Sequence, residues 1–280
     1  MNHTRVSTAA PLIIDSQRKA HPLRVQEFWL HRHILYFLVW KDVKVRYKQT
    51  LIGGFWVLLQ PFLEMVVLSI VFGEFFARSG SNVPYPLFVY AGILPWTYFS
   101  VSLTSGASSV VANADLMKRT YFPRMLIPLS SAIAKMVDLL MSLVILLGLM
   151  LYYDMPAGLP IVLLPFLLAL LILTSAALSL WLSALHAAYR DVVLFLPYFL
   201  RIGMFLTPVI YPVSIVPEDW RVLLYLNPLT GIIEAFRAII LRETLVEPNH
   251  LLFTTGITLV IFASGALFFA RAERKMLDVI

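Results

Sequence analysis

The chain has 280 residues, of which 60% are hydrophobic and 14% are charged, and its formal net charge is +6. Soluble domains are about 45–50% apolar and about 25% charged, so this composition excludes an ordinary soluble domain and indicates an integral membrane protein. Cysteine is absent and the six histidines are scattered, which argues against disulfides and against a metal site. We therefore expect an all-α integral membrane fold that binds no metal and no cofactor itself.

The first 50 residues precede the first long apolar segment. Residues 1–27 lack the apolar core of a secretory signal, and we expect a cytoplasmic N-terminal tail. Residues 28–50 are predicted to form an amphipathic helix at the membrane surface, because lysines and apolar side chains fall on different faces. The apolar face carries Tyr36, Val39, Trp40, Val43 and Tyr47. The polar face carries Lys41, Lys44 and Lys48. Such a helix is either an anchor or a lever that touches a cytoplasmic partner.

Residues 51–270 contain six segments that are long and apolar enough to cross about 30 Å of hydrocarbon. The predicted spans are about 51–76, 87–111, 126–151, 159–185, 192–213 and 251–270. Sixteen Lys and Arg residues lie on the side that holds both termini, and four lie on the other side. The positive-inside rule therefore places both termini in the cytoplasm, with residues 271–280 as a second tail.

The cytoplasmic connection between spans two and three is predicted to contain a short helix. Asn113 is a candidate N-cap, Asp115 lies in the first turn, and Lys118 and Arg119 lie at the end, as helix termini prefer. Leu116 gives this helix part of an apolar side. The segment is either a docking element for another protein or a simple connecting turn.

The outward connection between spans five and six contains two predicted helix starts, one at Pro217 and one at Asn227-Pro228. The second leads into residues 229–241, which are too apolar for a solvated loop and too short to span. We expect two short re-entrant helices in the outer leaflet, with a compact extracellular cap as the alternative. Glu234 and Arg237 are three residues apart and are expected to be neighbours on one helical face.

Four charged side chains lie inside predicted spans: Glu64, Lys135, Asp138 and Arg201. Each costs at least about 2.5 kcal/mol at a helix centre, so each should face a partner or water. Lys135 and Asp138 are close enough in sequence to pair within one helix, which leaves Glu64 and Arg201 as a candidate pair between helices. These charges either hold the bundle together or line a polar pathway.

The chain contains no P-loop motif and no HExxH or GxSxG motif, so we expect no enzymatic activity and no nucleotide hydrolysis of its own. Broken helices at matching positions of two halves, typical of many secondary transporters, are not evident. A transporter of this kind must take its energy from a partner, and the cytoplasmic helices are where such a partner would bind.

Five stretches of this sequence resemble the transmembrane subunit of ABC-2-type polysaccharide exporters, which move O-antigen, capsule or teichoic-acid chains. The resemblance covers about residues 30–275. It rests on KDVKVRYKQTLIGGFWVLLQP, YPLFVYAGILPWTYFS, NADLMKRTYFPR, LSALHAAYRDV and TPVIYPVSIVPEDWRVLLYLNPLTGIIEAFR. The resemblance implies a homodimer in the bacterial inner membrane, bound to two copies of a separate ATPase that holds ATP and Mg²⁺. The implied substrate is a lipid-linked polysaccharide, and no nucleic acid is involved.

The resemblance also implies roles for particular residues. Coupling to the ATPase is expected from Trp40, Lys41, Lys44, Lys48, Asn113, Asp115, Leu116, Lys118 and Arg119. The channel at the dimer interface is expected to use aromatic and polar side chains among Phe55, Trp56, Tyr98, Phe99, Tyr198, Phe199 and Arg201. An outward gate is expected from Trp220, Tyr225, Glu234, Phe236 and Arg237. The alternative functions are export of a small lipid or drug, and a membrane enzyme that acts on lipid-linked sugar.

Overall fold

A computed structural model describes residues 30–48, 53–77, 83–120, 122–155, 159–241 and 248–279. Within these residues the chain is helical and contains no strand, which confirms the predicted all-α class. The helices are α1 (Arg32–Lys48), α2 (Gly53–Ala77), α3 (Tyr85–Ala112), α4 (Ala114–Arg119), α5 (Leu126–Ala134), α6 (Met136–Tyr152), α7 (Leu164–Ala188), α8 (Val192–Leu206), α9 (Glu218–Tyr225), α10 (Pro228–Leu241) and α11 (Pro248–Val279). Two 3₁₀ turns, Leu159–Leu163 and Val213–Ile215, precede α7 and α9. The predicted tail 1–27 lies outside the described residues, and so do residues 28–29 and 49–50 at the two ends of the predicted amphipathic helix.

Five helices, counting α5 and α6 together, are long and apolar enough to cross a membrane. They correspond to predicted spans one, two, three, four and six, and they make this chain a multi-pass membrane protein. Span three is broken by a turn at Lys135, where α5 ends and α6 begins. Helix α11 has 32 residues, which is about 48 Å at 1.5 Å per residue, so it is longer than a bilayer core.

The predicted fifth span, 192–213, is helical only as far as Leu206. The helix ends there because Thr207 precedes Pro208, and a residue before proline avoids the helical conformation. The following backbone is irregular and buried from Thr207 to Ile210. Irregular backbone at membrane depth must find its hydrogen bonds inside the protein, and the side chains that supply them are described below.

Helix α3 is the centre of the bundle and is the most buried of the spanning helices. Three of its tyrosine hydroxyls donate hydrogen bonds to backbone oxygens of surrounding elements. Tyr85 donates to Ile210 (3.1 Å), Tyr90 to Ser142 (3.3 Å) and Tyr98 to Ala132 (2.8 Å). These bonds fix α3 to the end of span five and to both parts of span three, while the tyrosine rings fill the apolar core.

Small residues allow α3, α7 and α11 to approach closely. A Cβ on Gly106 of α3 would collide with Ser179 of α7, and a Cβ on Gly265 of α11 would lie 2.7 Å from the Ala177 carbonyl oxygen. The hydroxyls of Thr174 and Thr258 meet at 3.1 Å across the same helices. Close packing of small residues is the usual basis of helix association in membranes, and it makes these three helices one rigid block.

Helices α9 and α10 form the connection between spans five and six, which the sequence predicts to face outward, and they are bent by 101° relative to each other. The two short helices therefore exist where they were predicted. Asn227 shapes the bend, because its side-chain oxygen accepts the Leu229 N–H (3.1 Å) and its amide donates to the Thr207 hydroxyl (2.8 Å). Helix α10 is buried except for Glu234, whereas α9 has no buried residue.

Candidate functional site

The two segments predicted to couple to a partner, α1 and α4, share one hydrophobic cluster. Leu38 of α1 and Met117 of α4 are buried in it together with Phe122 and Leu126. The ends of α3, α7 and α11 contribute the remaining side chains, including Phe269. Because one cluster joins all these elements, α1, α4 and the adjacent ends of the spans form a single packed unit. We call it the cytoplasmic platform, after the side of the membrane on which the distribution of Lys and Arg predicts it.

Asn113 connects α1 to the turn between α3 and α4. The side-chain oxygen of Asn113 accepts a hydrogen bond from Lys41, and its amide donates to the Ser109 carbonyl at 2.8 Å. Helix α4 begins at the residue after Asn113, as predicted, but the Asn113 side chain makes no capping hydrogen bond. The polar groups of Asn113 are instead used to hold α1 in place.

The outer surface of the cytoplasmic platform carries exposed charge from two helices. On α4, Asp115, Lys118 and Arg119 are exposed and Leu116 is half-buried. On α1, Lys44 and Lys48 are exposed, and Trp40 is 54% exposed. The structure therefore brings the predicted coupling residues to one end of the bundle and leaves most of them accessible.

Helix α1 does not pack on the protein mainly through the apolar face that was predicted from its sequence. Leu38 is 1% exposed, while Tyr36 is 70% and Trp40 is 54% exposed. The residues that pack inward are Leu38 and, in part, Ile34 and Leu35. The position of α1 at the membrane surface stays a prediction, and Tyr36 and Trp40 are the exposed aromatic side chains that it would place against lipid.

Asp138 pairs with α1 and not with its own helix. Its carboxylate lies 3.0 Å from the Arg46 guanidinium and accepts a hydrogen bond from the Tyr47 hydroxyl. This corrects the expected Lys135–Asp138 pair, because the break at Lys135 and the packing of α1 bring an arginine closer. Burial, followed by the hydrogen bond and the negative charge of Asp138, raises the pKa of Tyr47. The sequence carried no signal for this contact, since residues 46 and 138 are distant along the chain.

Glu64 and Arg201 do not pair within one subunit of the described structure. Glu64 accepts a hydrogen bond from Gln60 one turn earlier on α2 (3.3 Å). Arg201 is exposed on α8. The two side chains were expected to meet between helices, and no ion pair joins them in the described part of the chain.

Arg237 is the largest fully buried side chain among the described residues, with 2% exposure. Its guanidinium donates to the carbonyl oxygens of Pro208 (2.6 Å), Val209 and Phe88 (3.3 Å), and it pairs with Glu234 at 3.2 Å. The predicted Glu234–Arg237 pair is confirmed. Arg237 therefore supplies hydrogen-bond donors to the carbonyl oxygens of the irregular backbone after α8. Backbone polar groups that are buried at membrane depth need such partners inside the protein.

Two neighbours complete the surroundings of Arg237. The Phe88 ring lies under the guanidinium, with the central carbon 3.8 Å from the ring centroid. Gly92 leaves the space that the guanidinium occupies, because a Cβ there would collide with Arg237 and lie 2.7 Å from the Val209 carbonyl oxygen. Sequence reasoning did not single out Gly92. The available signal was a glycine in the middle of a span rich in aromatic residues, which can mark a close approach of another group.

The predicted gate residues occupy two kinds of environment. Trp220 on α9 is 61% exposed, whereas Phe236 on α10 is 1% exposed. Tyr225 stacks on His250 at the start of α11, with 4.2 Å between ring centroids. Arg221 fixes the start of α9 by donating to the Val216 carbonyl (2.9 Å). Helix α9 thus presents the accessible surface of this region, and α10 anchors it.

The aromatic side chains predicted for the channel also divide by exposure. Phe55, Trp56, Tyr198 and Phe199 are between 58% and 71% exposed on α2 and α8. Tyr98 and Phe99 on α3 are 3% and 5% exposed and belong to the core of the subunit. The exposed surface of a single membrane-spanning chain faces lipid or another chain. Among the aromatic residues predicted for the channel, those on α2 and α8 are therefore the ones available for such contacts.

The bundle, with its surface helix and its outward helical hairpin, has the organisation of a membrane permease. The chain belongs to the ABC-2 type transporter family, which it matches over residues 34–241. It is 28% identical over 252 residues to the O-antigen export system permease protein RfbA of Myxococcus xanthus, covering 89% of this chain and 96% of that protein.

Two further relatives have related names. RfbA of Klebsiella pneumoniae, also named an O-antigen export system permease protein, is 27% identical and covers 86% of this chain and 92% of its own length. The polysialic acid transport protein KpsM of Escherichia coli is 23% identical, covering 85% of this chain and 92% of its own length.

Proposed function

We propose that this chain is the permease subunit of an ATP-driven exporter that moves a lipid-linked polysaccharide across the bacterial inner membrane. The observation that carries the proposal is the nearly full-length similarity to permeases named for O-antigen export. The absence of a P-loop in the sequence agrees with ATP hydrolysis on a separate subunit. Both termini are cytoplasmic in this proposal, as the distribution of Lys and Arg predicts.

The cytoplasmic platform is the proposed site of ATPase binding. Exposed acidic and basic side chains of α4 lie beside the exposed lysines of α1, and both helices are anchored in one cluster. A force applied to α4 therefore reaches α1 and the ends of three spans through packed side chains. ATP and Mg²⁺ bind to the partner, and this chain supplies the surface that receives the movement.

The channel is proposed to form between two copies of this chain, along α2 and α8. Phe55, Trp56, Tyr198 and Phe199 supply the flat aromatic surfaces that suit sugar rings, and Arg201 supplies a cation on the same surface. Helix α9 with Trp220 forms the outward gate of each copy, while the buried Arg237 holds the adjoining α10. Tyr98 and Phe99 support the wall from within the subunit.

The proposal is tested by complementing a deletion strain with this chain and a candidate partner ATPase from the same genome. Long-chain polysaccharide is then measured at the cell surface and inside the cell. Surface glycan that disappears when the ATPase is inactivated supports the proposal and identifies the cargo. If the glycan stays inside although both proteins are made and assembled, polysaccharide is the wrong cargo and export of a small lipid or drug becomes the better account.

A further inference from the structure

A small, partly open cleft lies between α2, α3 and the junction of α5 with α6. Its apolar walls include Val57, Pro61, Leu94 and Leu139. Its polar lining consists of Arg46, Gln60, Thr97, Tyr98, Lys135, Asp138 and Ser142. Few places among the spans of this chain combine so many polar groups with an apolar wall, and polar groups inside a membrane domain are by default candidates for function.

The charges that line this cleft do not balance. The Asp138 carboxylate is engaged by Arg46 at 3.0 Å and by the Tyr47 hydroxyl. The nearby carboxylate of Asp42 pairs with Lys41 at 3.6 Å. Lys135 has no hydrogen bond or ion pair to any of the described residues. The lining of the cleft therefore carries two cations and one carboxylate. Asp138 and Asp42 attract Lys135 electrostatically but form no hydrogen bond or ion pair with it, and Lys135 lies at the break between two helices of a span.

Among the other polar groups of the cleft, the Tyr98 and Ser142 hydroxyls already donate to backbone oxygens, which leaves Thr97 and Gln60 as donors. The Thr97 hydroxyl comes from α3, and the Gln60 amide, which also reaches Glu64 at 3.3 Å, comes from α2. A surplus ammonium group, a hydroxyl and an amide suit an anion with several acceptor oxygens. Apolar walls beside them suit the first carbons of a lipid chain.

We infer that this cleft binds the phosphate group that joins a lipid to its polar head, with Lys135 as the main electrostatic contact. Assigning that phosphate to the exported lipid-linked glycan rests on the proposed function. A membrane phospholipid presents the same chemistry, and the two sources are separated by the choice of probe. Arg46 belongs to α1, so a phosphate in this cleft lies beside the ion pair that connects the cytoplasmic platform to span three.

The test is direct binding to the purified full-length chain in dodecyl maltoside, a detergent that contains no phosphate. The probes are geranylgeranyl diphosphate, the uncharged alcohol geranylgeraniol and dioleoylphosphatidylglycerol, each titrated and counted by native mass spectrometry. Lys135→Gln is expected to weaken diphosphate binding about tenfold, because a charge-assisted contact is lost. Lys135→Arg is expected to retain most of the affinity, and Arg271→Gln, at an exposed position of α11 outside the proposed sites, is the charge-matched control.

The outcomes are distinct. Loss of diphosphate binding in Lys135→Gln but not in Arg271→Gln supports the inference. Equal dependence on Lys135 for phosphatidylglycerol assigns the phosphate to bulk lipid. Unchanged diphosphate affinity in Lys135→Gln, or equally tight binding of geranylgeraniol, overturns it. If Lys135→Gln fails to fold, Thr97→Val removes a donor, and unchanged diphosphate affinity in that variant overturns the inference. The assay needs no ATPase and no transport, so its result is independent of the export test.

Discussion

At the scale of single residues, the buried charges of this protein are held by groups that are remote in sequence. Asp138 is held by Arg46 and Tyr47 of α1, and Arg237 is held mainly by backbone oxygens of α3 and of the segment after α8. Sequence reasoning identified Asp138 as a residue that needs a partner, because charge inside a span is costly, and it singled out Arg237 only as a neighbour of Glu234 on one helical face. It predicted the Glu234 contact, which is local, and missed the remote ones.

Asp138→Asn is expected to destabilise the subunit by about 1–3 kcal/mol, because the half-buried Arg46 loses its counter-ion. Arg46→Gln should have a similar effect, and the double variant should lose less than the sum of the two. Thermal unfolding in detergent measures all three. The Lys44→Gln variant changes charge on the exposed face of α1 and serves as the control. Strictly additive losses in the cycle would contradict the Arg46–Asp138 contact.

Gly92→Ala is expected to destabilise the subunit by about 1–3 kcal/mol, because the new methyl group overlaps Arg237 and the backbone oxygen of Val209. Gly148→Ala is the matched control, since a Cβ there meets nothing within 4 Å. That control should be neutral or stabilising by up to about 1 kcal/mol, as alanine favours helix. Equal unfolding temperatures for the two variants would show that the Arg237 site is not tightly packed.

At the scale of helices, the sequence located every spanning segment but did not locate the breaks. Length and hydrophobicity are properties of a segment by itself, so the spans from α2 to α11 could be read directly. The turn at Lys135 and the end of α8 at Leu206 depend on packing around them. The face on which α1 packs was also missed, because the exposed Tyr36 and Trp40 follow the same apolar pattern as a buried face.

Replacing both Lys118 and Arg119 of α4 by alanine is expected to reduce co-purification of the ATPase severalfold. These exposed side chains lie on the proposed binding surface, and rim charges mainly affect association. Arg271→Ala, at an exposed position of α11, is the control for loss of positive charge at the same end of the bundle. Recovery of as much ATPase with the double variant as with the unchanged chain would argue against binding through α4.

At the scale of the whole molecule, the family and the bundle follow from features that survive low sequence identity. Apolar segments, the basic helix before span one and the Pro-rich outward hairpin are all visible in one sequence. The residues that line a channel are not visible in one sequence. Which side chains of α2 and α8 are exposed depends on how the helices pack around α3. In the structure, Tyr198 and Phe199 lie on the accessible surface, as expected for channel residues, whereas Tyr98 lies in the core of the subunit.

We propose that a lipid-linked glycan crosses the membrane through this chain, and that a separate ATPase drives this transport. The most direct measurement uses proteoliposomes that contain this chain, its ATPase and radiolabelled lipid-linked glycan, with a glycan-cleaving enzyme enclosed in the lumen. ATP added outside acts on the complexes whose ATPase faces outward, so the account predicts ATP-dependent cleavage of the label inside. It predicts no cleavage with an inactive ATPase or without this chain. Cleavage that proceeds equally without ATP, or label that stays intact although the complex hydrolyses ATP, would contradict the account.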